Sequence, residues 1–170
     1  NNPDIIRELQ ETVAAIVDAR EKEKYKGLLL VPSFAVSEQM VKLIDKSKSK
    51  IFLHKPGEKI DKIVNEFKSY NKPAVLVSPS IYEGLDFADD HSRYQIILKS
   101  PFASLGDKRV KYIADNYSEI YRIMTIKKIV QGVGRSVRNK NDFCVTFILD
   151  KNAEILFKSS LNVWKNQFSY

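Results

Sequence analysis

The stretch Gly27-Leu28-Leu29-Leu30-Val31 is a short continuous apolar run, the pattern of a strand that is buried on both faces. Ala74-Val75-Leu76-Val77 has the same character, and further strands are predicted over residues 51–53, 94–98 and 143–149. Segments with helical spacing of apolar residues separate these strands. Because strands alternate with helices and are apolar on both faces, the sequence predicts an α/β fold with a parallel sheet covered by helices.

The predicted helices each carry an apolar stripe at helical spacing. The first begins with Asn2 as N-cap and Pro3 in the first helical position, where proline is well tolerated. Its stripe consists of Ile5, Ile6, Leu9, Val13, Ile16 and Val17. Further helices are predicted over 36–44, 60–67, 156–164 and, with an interruption near 116–118, from about Lys108 to about Arg138.

Length and composition are those of one soluble globular domain over residues 1–170, with 44% apolar residues. No apolar run approaches the roughly 20 residues needed to span a bilayer, and no signal peptide is recognisable, so we expect a cytoplasmic or nuclear protein without membrane contact. Cys144 has no second cysteine with which to form a disulfide or a metal site. We expect it to be a small buried apolar residue, the alternative being a reactive thiol.

The net charge of +7 permits binding to a phosphate backbone, because lysine and arginine that neutralise phosphates release counterions. The same charge is also explained by a lysine-rich solvated surface, since the basic residues are spread along the chain. Charge therefore leaves both interpretations open.

The segment Gln131-Gly132-Val133-Gly134-Arg135-Ser136-Val137-Arg138 carries the clearest functional pattern. On a continuous helix, one face would present Gln131, Gly134, Arg135 and Arg138. The opposite face would present Ile126, Ile129, Val130, Val133 and Val137. Paired arginines suit a polyphosphate, because each planar guanidinium donates two parallel hydrogen bonds. The alternative, a helix with a solvated polar face, explains poorly the two glycines, each of which costs about 1 kcal/mol in a helix.

Two further polar segments follow buried strands, and ligands bind at this edge of open α/β sheets. Residues 78–87 combine hydroxyl, acidic and glycine positions that could bind phosphate or hold a ribose, although ordinary loop chemistry is the alternative. Ser33 could cap the following helix, contact phosphate, or do both. Phe34 is either a core residue or a platform for a base. We expect Ser33, Asp86 and Arg135 to lie along one edge.

These segments together resemble, in order and over nearly the whole chain, the C-terminal helicase domain of the XPD/DinG family of superfamily-two DNA helicases. Gly27 to Phe34 is similar to helicase motif IV, and Glu83-Gly84-Leu85-Asp86-Phe87 is similar to the end of motif V. Gln131 to Arg138 is similar to motif VI, Gln-x-x-Gly-Arg-x-x-Arg. Weaker similarities to the family lie at Pro101-Phe102, Asp107, Asp142, Leu149-Asp150, 156–159 and Trp164. Cys144 departs from the glycine that is usual there.

The resemblance implies a RecA-like three-layer α/β/α domain that closes on ATP held by a first RecA-like domain of the same protein. It implies Arg135 and Arg138 as catalytic arginines near the γ-phosphate. Residues implied in ATP binding are Gln131, Gly134, Gly84 and Asp86. Residues implied in binding single-stranded DNA are Ser33, Phe34, Ser78, Ser80 and Glu83. Unwinding in the 5′ to 3′ direction is implied as well.

The sequence lacks the Gly-x-x-x-x-Gly-Lys-Ser/Thr loop and the acidic box that hold ATP and Mg²⁺. The resemblance assigns both to the first domain, together with an iron–sulfur cluster where the parent protein has one. We therefore expect the chain to be inactive as an ATPase by itself. His54 and His91 lie outside the motifs, and we expect both to be surface or loop residues. The alternative function is a non-catalytic basic α/β module that binds nucleic acid.

Overall fold

The computed structural model describes residues 3–44, 49–81, 85–137 and 142–159. Its strands are β1 (Lys26–Leu30), β2 (Lys50–Leu53), β3 (Ala74–Ser78), β4 (Tyr94–Ile97) and β5 (Val145–Ile148). Its helices are α1 (Pro3–Lys22), α2 (Phe34–Ile44), α3 (Ile60–Ser69), α4 (Lys108–Asn116), α5 (Ser118–Val133) and α6 (Lys151–Ser159), with a 3-10 turn over Asp89–His91.

The five strands form one sheet in the order β2-β3-β1-β4-β5, and every pairing is parallel. Parallel neighbours need crossover connections, which the helices provide. The prediction of a parallel sheet covered by helices is therefore confirmed.

The three central strands β1, β3 and β4 bury both of their faces, and successive side chains point to opposite sides of the sheet. Leu28 and Leu30 of β1 pack in a core that includes residues of α3, α5 and α6. Leu29 and Val31 pack in a second core with residues of α1 and α2. The sheet thus lies between two helical layers, as the three-layer prediction requires.

A close approach between β1 and β4 requires glycine at position 27. Gly27 pairs with Tyr94 across the two strands, and a Cβ atom on residue 27 would lie 2.2 Å from Cζ of the Tyr94 ring. The Tyr94 side chain is fully buried, and its hydroxyl has no hydrogen-bond partner among the described residues. The ring therefore fills the space that any larger residue at position 27 would need.

The buried ammonium of Lys26 closes the end of α3. Its Nζ donates to the carbonyls of Phe67, Lys68 and Tyr70 at 2.5, 3.2 and 2.9 Å. The last carbonyls of a helix lack i+4 partners, so the lysine supplies a donor there, beside the Tyr70 amide that also donates to the Phe67 carbonyl, and lies at the negative end of the helix dipole. Burial lowers the pKa of Lys26, and the charge of Lys68 lowers it further.

Three predicted boundaries or contacts differ from the structure. Ile5 is 60% exposed, because it lies at the margin of the α1 stripe. At about 100° per residue, its side chain is about 80° around the helix from that of the buried Val13. The last helix begins at Lys151, since Asp150 accepts a hydrogen bond from the backbone of Asn152 and caps it. The long helical region ends at Val133. Asn2 and Trp164 lie outside the described residues. Among the described helices, none is long and apolar enough to cross a membrane.

Candidate functional site

Four polar side chains and one aromatic ring lie where β1, β2 and β3 end. We call this group the carboxyl-edge cluster, and it consists of Ser33, Phe34, His54, Ser78 and Ser80. Ser33 Oγ accepts a weak hydrogen bond from the Val36 amide at 3.4 Å, in the position of an N-cap for α2. The Ser33 side chain is also exposed, so capping does not prevent a further contact. Phe34 is half-buried rather than displayed to solvent.

His54 is the centre of this cluster, and the prediction that it is a surface residue is wrong. It is 5% exposed and packs edge-on against Phe34, with the ring centroids 5.1 Å apart. Its Nδ1 lies 2.8 Å from Ser78 Oγ, and its Nε2 lies 3.0 Å from the carbonyl oxygen of Glu58. The pairing of β2 with β3 brings His54 beside Ser78, a contact that the sequence pattern does not contain.

The partners of His54 place a proton on Nε2. The carbonyl of Glu58 only accepts hydrogen bonds, so Nε2 donates to it, while Nδ1 is hydrogen-bonded to the Ser78 hydroxyl. Ser78 Oγ in turn accepts from the Ser80 amide at 3.0 Å. This chain of bonds fixes the turn that follows β3. Since Ser78 is fully buried, its hydroxyl holds the turn, and the exposed Ser80 is the residue that a ligand can reach.

A cleft of about 590 Å³ opens beside the cluster. The turns after β1, β3 and β4 line it through Pro32, Ser80 and Pro101, and Lys99 and Lys128 also lie on its walls. Turn backbone, a hydroxyl and two ammonium groups are donors of the kind that bind phosphate oxygens. The cleft can therefore accept an anionic chain that crosses the carboxyl edge.

A second group of contacts joins the predicted motif V and motif VI segments, and we call it the Arg135 junction: Leu85–Phe87, Gln95 and Val133–Ser136. The Arg135 guanidinium donates from Nη1 to the Leu85 carbonyl at 3.2 Å. The amide of Phe87 donates to the Arg135 carbonyl at 3.0 Å. Asp86 lies exposed between these two contacts, where its Oδ1 accepts a bond from the Ala88 amide. Asp86 and Arg135 are thus brought together, as predicted.

The junction lies at the amino end of β4, so the prediction that Arg135 shares the carboxyl edge with Ser33 is wrong. Ser136 Oγ donates to Ser92 Oγ, just before β4, at 2.9 Å. The reason is the direction of α5. Its beginning lies near the carboxyl edge, where Tyr121 donates to the carbonyl of Ala103, and a helix of its length, about 1.5 Å per residue, crosses the whole sheet.

The helical pattern also fails beyond Val133. Gly134 is the C-cap of α5, and its amide donates to the carbonyl of Val130 at 2.9 Å. A Cβ atom at position 134 would lie 3.3 Å from that same carbonyl oxygen, so glycine relieves crowding inside its own helix end. Gln131 is exposed on the last turn, whereas Arg135 follows the helix and Val137 is 38% exposed. Glu83, Gly84 and Arg138 lie outside the described residues.

Gln95 was not singled out from the sequence, yet it contributes a buried side chain to the junction. Its Nε2 donates to the carbonyl of Val133, the last residue of α5, at 3.2 Å. The only available signal was a glutamine inside an otherwise apolar strand, Tyr94 to Leu98. Such a residue predicts a buried polar contact, but not the helix end that it meets.

Two aspartates near β5 are structural. Asp142 accepts from Arg93 Nη1 at 2.5 Å and from the Asp89 amide at 3.2 Å. Burial favours a lower pKa for Arg93, but hydrogen bonds to Asp90 and Asp142 outweigh it and hold the pKa above its ordinary value. Burial would raise the pKa of Asp150, but hydrogen bonds from Ser100 and Asn152 lower it. Asp150 therefore remains charged, and both aspartates fix loops.

Cys144 is half-buried beside Ser92. Burial raises the pKa of its thiol, which keeps the sulfur protonated and poorly nucleophilic at neutral pH. The structure thus favours the small, largely buried residue over the reactive thiol. Among the described residues, no group of three or more His, Cys, Asp or Glu is placed to hold a metal ion.

An all-parallel sheet between two helical layers, with polar turns at its carboxyl edge and an arginine-bearing turn at the end of a long helix, defines the class of RecA-like helicase motor domains. The chain belongs to the helicase C-terminal domain family, whose model matches residues 16–161, and within it to the XPD/DinG group.

Curated relatives and solved structures agree with this assignment. The chain is 25% identical to the ATP-dependent DNA helicase CHL1 of Debaryomyces hansenii, over 89% of this chain and 22% of CHL1. It is 24% identical to the 3′-5′ exonuclease DinG of Staphylococcus saprophyticus, over 84% of this chain and 17% of DinG. The chain thus spans about a fifth of the length of these relatives.

Two solved structures share the fold. Xpd4 of S. tokodaii matches with a TM-score of 0.57 and 16% identity, over 88% of this chain and 32% of Xpd4. Domain 2 of the DEAD-box helicase Mss116p, solved with an RNA duplex, matches with a TM-score of 0.55 and 14% identity, over 91% of this chain and 56% of that one. At these identities the likeness supports the RecA-like fold.

Proposed function

We propose that this chain is the second motor domain of an ATP-dependent DNA helicase and that it works against a first motor domain in the rest of the parent protein. In this proposal the Arg135 junction meets the nucleotide, and the carboxyl-edge cluster holds single-stranded DNA. The proposal rests on the contact of Arg135 with Leu85 and Phe87. This contact joins the arginine that is proposed to meet the nucleotide to a segment that begins at the carboxyl edge.

The position of Arg135 suits a residue that acts on phosphate in trans. One Nη1 hydrogen bond to the Leu85 carbonyl orients the planar guanidinium, which has five N–H donors in all. The remaining donors can turn toward the γ-phosphate of ATP when the two domains close. An arginine in this role stabilises the charge of the phosphoryl-transfer transition state and contributes about 10³–10⁵ in rate.

Neighbouring residues complete the proposed nucleotide site. Gln131 is exposed one turn before Arg135, within reach of a phosphate or the attacking water in a closed state. Arg138 would be the second catalytic arginine, while Gly134, Gly84 and Asp86 would line the nucleotide side, as the family resemblance implies. The first domain would hold ATP and Mg²⁺, and any iron–sulfur cluster would belong to that domain.

The proposed DNA path follows the cleft at the carboxyl edge. Ser33 and Ser80 offer exposed hydroxyls there, Lys99 and Lys128 offer charge, and Phe34 and Ser78 support the two turns. Glu83 would belong to the same path. Contacts of this kind recognise the backbone and not the base sequence. Translocation from 5′ to 3′ follows from the resemblance to XPD and DinG.

The relatives carry different activities in their names, since one is a DNA helicase and the other an exonuclease. A helicase is favoured here because an arginine oriented beside motif V serves phosphoryl transfer from ATP. A non-catalytic basic binding module is the second candidate, and the net charge of +7 is compatible with it.

One experiment separates these candidates. ATP hydrolysis is measured for the isolated chain and for the parent protein, each with and without single-stranded DNA. We expect DNA-stimulated hydrolysis by the parent protein and background hydrolysis by the chain. A parent protein that binds DNA without hydrolysing ATP would identify the binding module and contradict the motor assignment.

A further inference from the structure

A glutamine is buried at the centre of the domain where an apolar residue would be expected. Gln95 is fully buried in β4, which lies between β1 and β5. Strands of a parallel sheet that is covered on both faces are normally apolar throughout. Burying an amide group is unfavourable unless its donors and acceptor find partners.

The partners of Gln95 do not fully compensate that burial. Nε2 donates to the carbonyl of Val133 at 3.2 Å and to Thr146 Oγ1 at 2.9 Å. The acceptor Oε1 is buried without a hydrogen-bond partner among the described residues. A leucine or methionine of similar volume would leave no such acceptor behind. Its two Nε2 hydrogen bonds offset only part of the cost of burying the amide, so the net contribution of this glutamine to stability is small.

What the glutamine does is fix the end of α5. Val133 is the last residue of that helix, and the last carbonyls of a helix have no partner within it. Gln95 binds the carbonyl of Val133 from β4, and Ser92 binds Ser136 from the segment just before β4. β4 and the segment just before it therefore contact the turn that bears Arg135 on both sides.

We propose that Gln95 is a positioning residue for Arg135, one that sets where α5 ends and hence the direction of the guanidinium. The inference rests on the proposed function, in which Arg135 approaches the nucleotide. A group whose support is lost can shift by about 1 Å, and a shift of that size can cost about 10²-fold in rate. Gln95 contributes this support through its contact with the Val133 carbonyl.

The test uses Gln95→Leu in the parent protein, with Gln95→Met as a second variant of more adaptable shape. We expect kcat of DNA-stimulated ATP hydrolysis to fall by about 10²-fold, with KM for ATP changed by less than about 3-fold. The thermal midpoint should change little, because removal of the unpaired Oε1 is offset by loss of the two Nε2 hydrogen bonds. Thr146→Val is the matched control, because it removes the other partner of Nε2 and leaves the Val133 contact, so its kcat should stay near normal.

A double-variant cycle shows whether Gln95 acts through Arg135. In an Arg135→Ala background, Gln95→Leu should cause no further loss of kcat, since residues that act as one unit are not additive. Normal kcat in both Gln95 variants, or an equal loss in the Arg135→Ala background, would overturn the inference. Normal turnover of Arg135→Ala by itself would instead overturn the role that the proposed function gives Arg135.

Discussion

The carboxyl-edge cluster and the Arg135 junction are built in different ways. In the cluster, Ser80 and Ser78 are two residues apart, and His54 and Ser78 are 24 apart. In the junction, Arg135 and Leu85 are 50 residues apart, and Ser136 and Ser92 are 44 apart. The cluster can form once β1, β2 and β3 pair, whereas the junction requires the finished packing of α5 on the sheet. The proposed DNA site and the proposed nucleotide site thus depend on the fold to different degrees.

The largest effect that would test this comparison is expected from Arg135→Ala in the parent protein. We expect kcat for ATP hydrolysis to fall by about 10³–10⁵-fold, because no arginine then stabilises the charge on the transferred phosphoryl group in the transition state. Affinity for single-stranded DNA should change little if the two regions are separate. Steady-state kinetics and fluorescence anisotropy measure the two quantities.

Two controls accompany Arg135→Ala. Arg135→Lys keeps the charge but not the planar fork, so it should recover only part of the rate. Arg122→Ala removes an arginine of α5, the helix that precedes Arg135, and should leave kcat near normal. A modest fall in thermal midpoint is expected for Arg135→Ala, since Arg135 is half-buried and binds the Leu85 carbonyl. Near-normal turnover, or a DNA affinity that falls with kcat, would contradict the separation of the two regions.

A smaller effect, on the other region, is expected from His54→Phe. The ring contact with Phe34 can persist, but the buried Ser78 hydroxyl loses its partner, at a cost of about 1–3 kcal/mol. We expect the turn to Ser80 to loosen and affinity for single-stranded DNA to fall several-fold, about 1 kcal/mol. At saturating DNA, kcat should be close to normal.

His54→Asn is the rescue variant, because its amide can reach the position of Nδ1. His91→Phe is the control, since His91 lies at the amino side of the sheet near Lys26 and Lys68. DNA affinity that stays unchanged in His54→Phe while the thermal midpoint falls would assign His54 to stability and not to DNA binding.

The smallest effect is expected from Lys128→Gln, which removes one charge from the wall of the carboxyl-edge cleft. Affinity for single-stranded DNA should fall steeply with salt, and loss of one phosphate contact should reduce the slope of log K against log salt by about 0.7. Lys127→Gln is the matched control, because the neighbouring lysine is exposed and is not among the residues that line the cleft. Equal slopes for the two variants would show that the cleft does not carry the strand.

The sequence pattern predicts the sheet well, because apolar runs such as Leu28 to Val31 and Val75 to Val77 are local properties of the chain. It also predicts the proximity of Asp86 and Arg135, which the family motifs imply. It does not predict the end of α5, because the apolar repeat continues to Val137, whereas the helix ends at Val133 where Gln95 and Ser92 contact residues 133 and 136. Nor does it predict His54 or Gln95, whose roles arise from strand pairing and from the direction of a helix.

The close fit of Tyr94 over Gly27 makes one phenol a reporter of the folded state. Burial raises the pKa of Tyr94, whereas the unfolded chain ionises near the ordinary value of about 10. A raised folded-state pKa contributes stability that is present below about pH 10 and is lost as the pH rises above it. Alkali therefore favours unfolding of the domain partly by removing this proton. The difference in phenolate absorbance between the protein and Tyr94→Phe should record the opening of β1 from β4, since the other seven tyrosines also absorb.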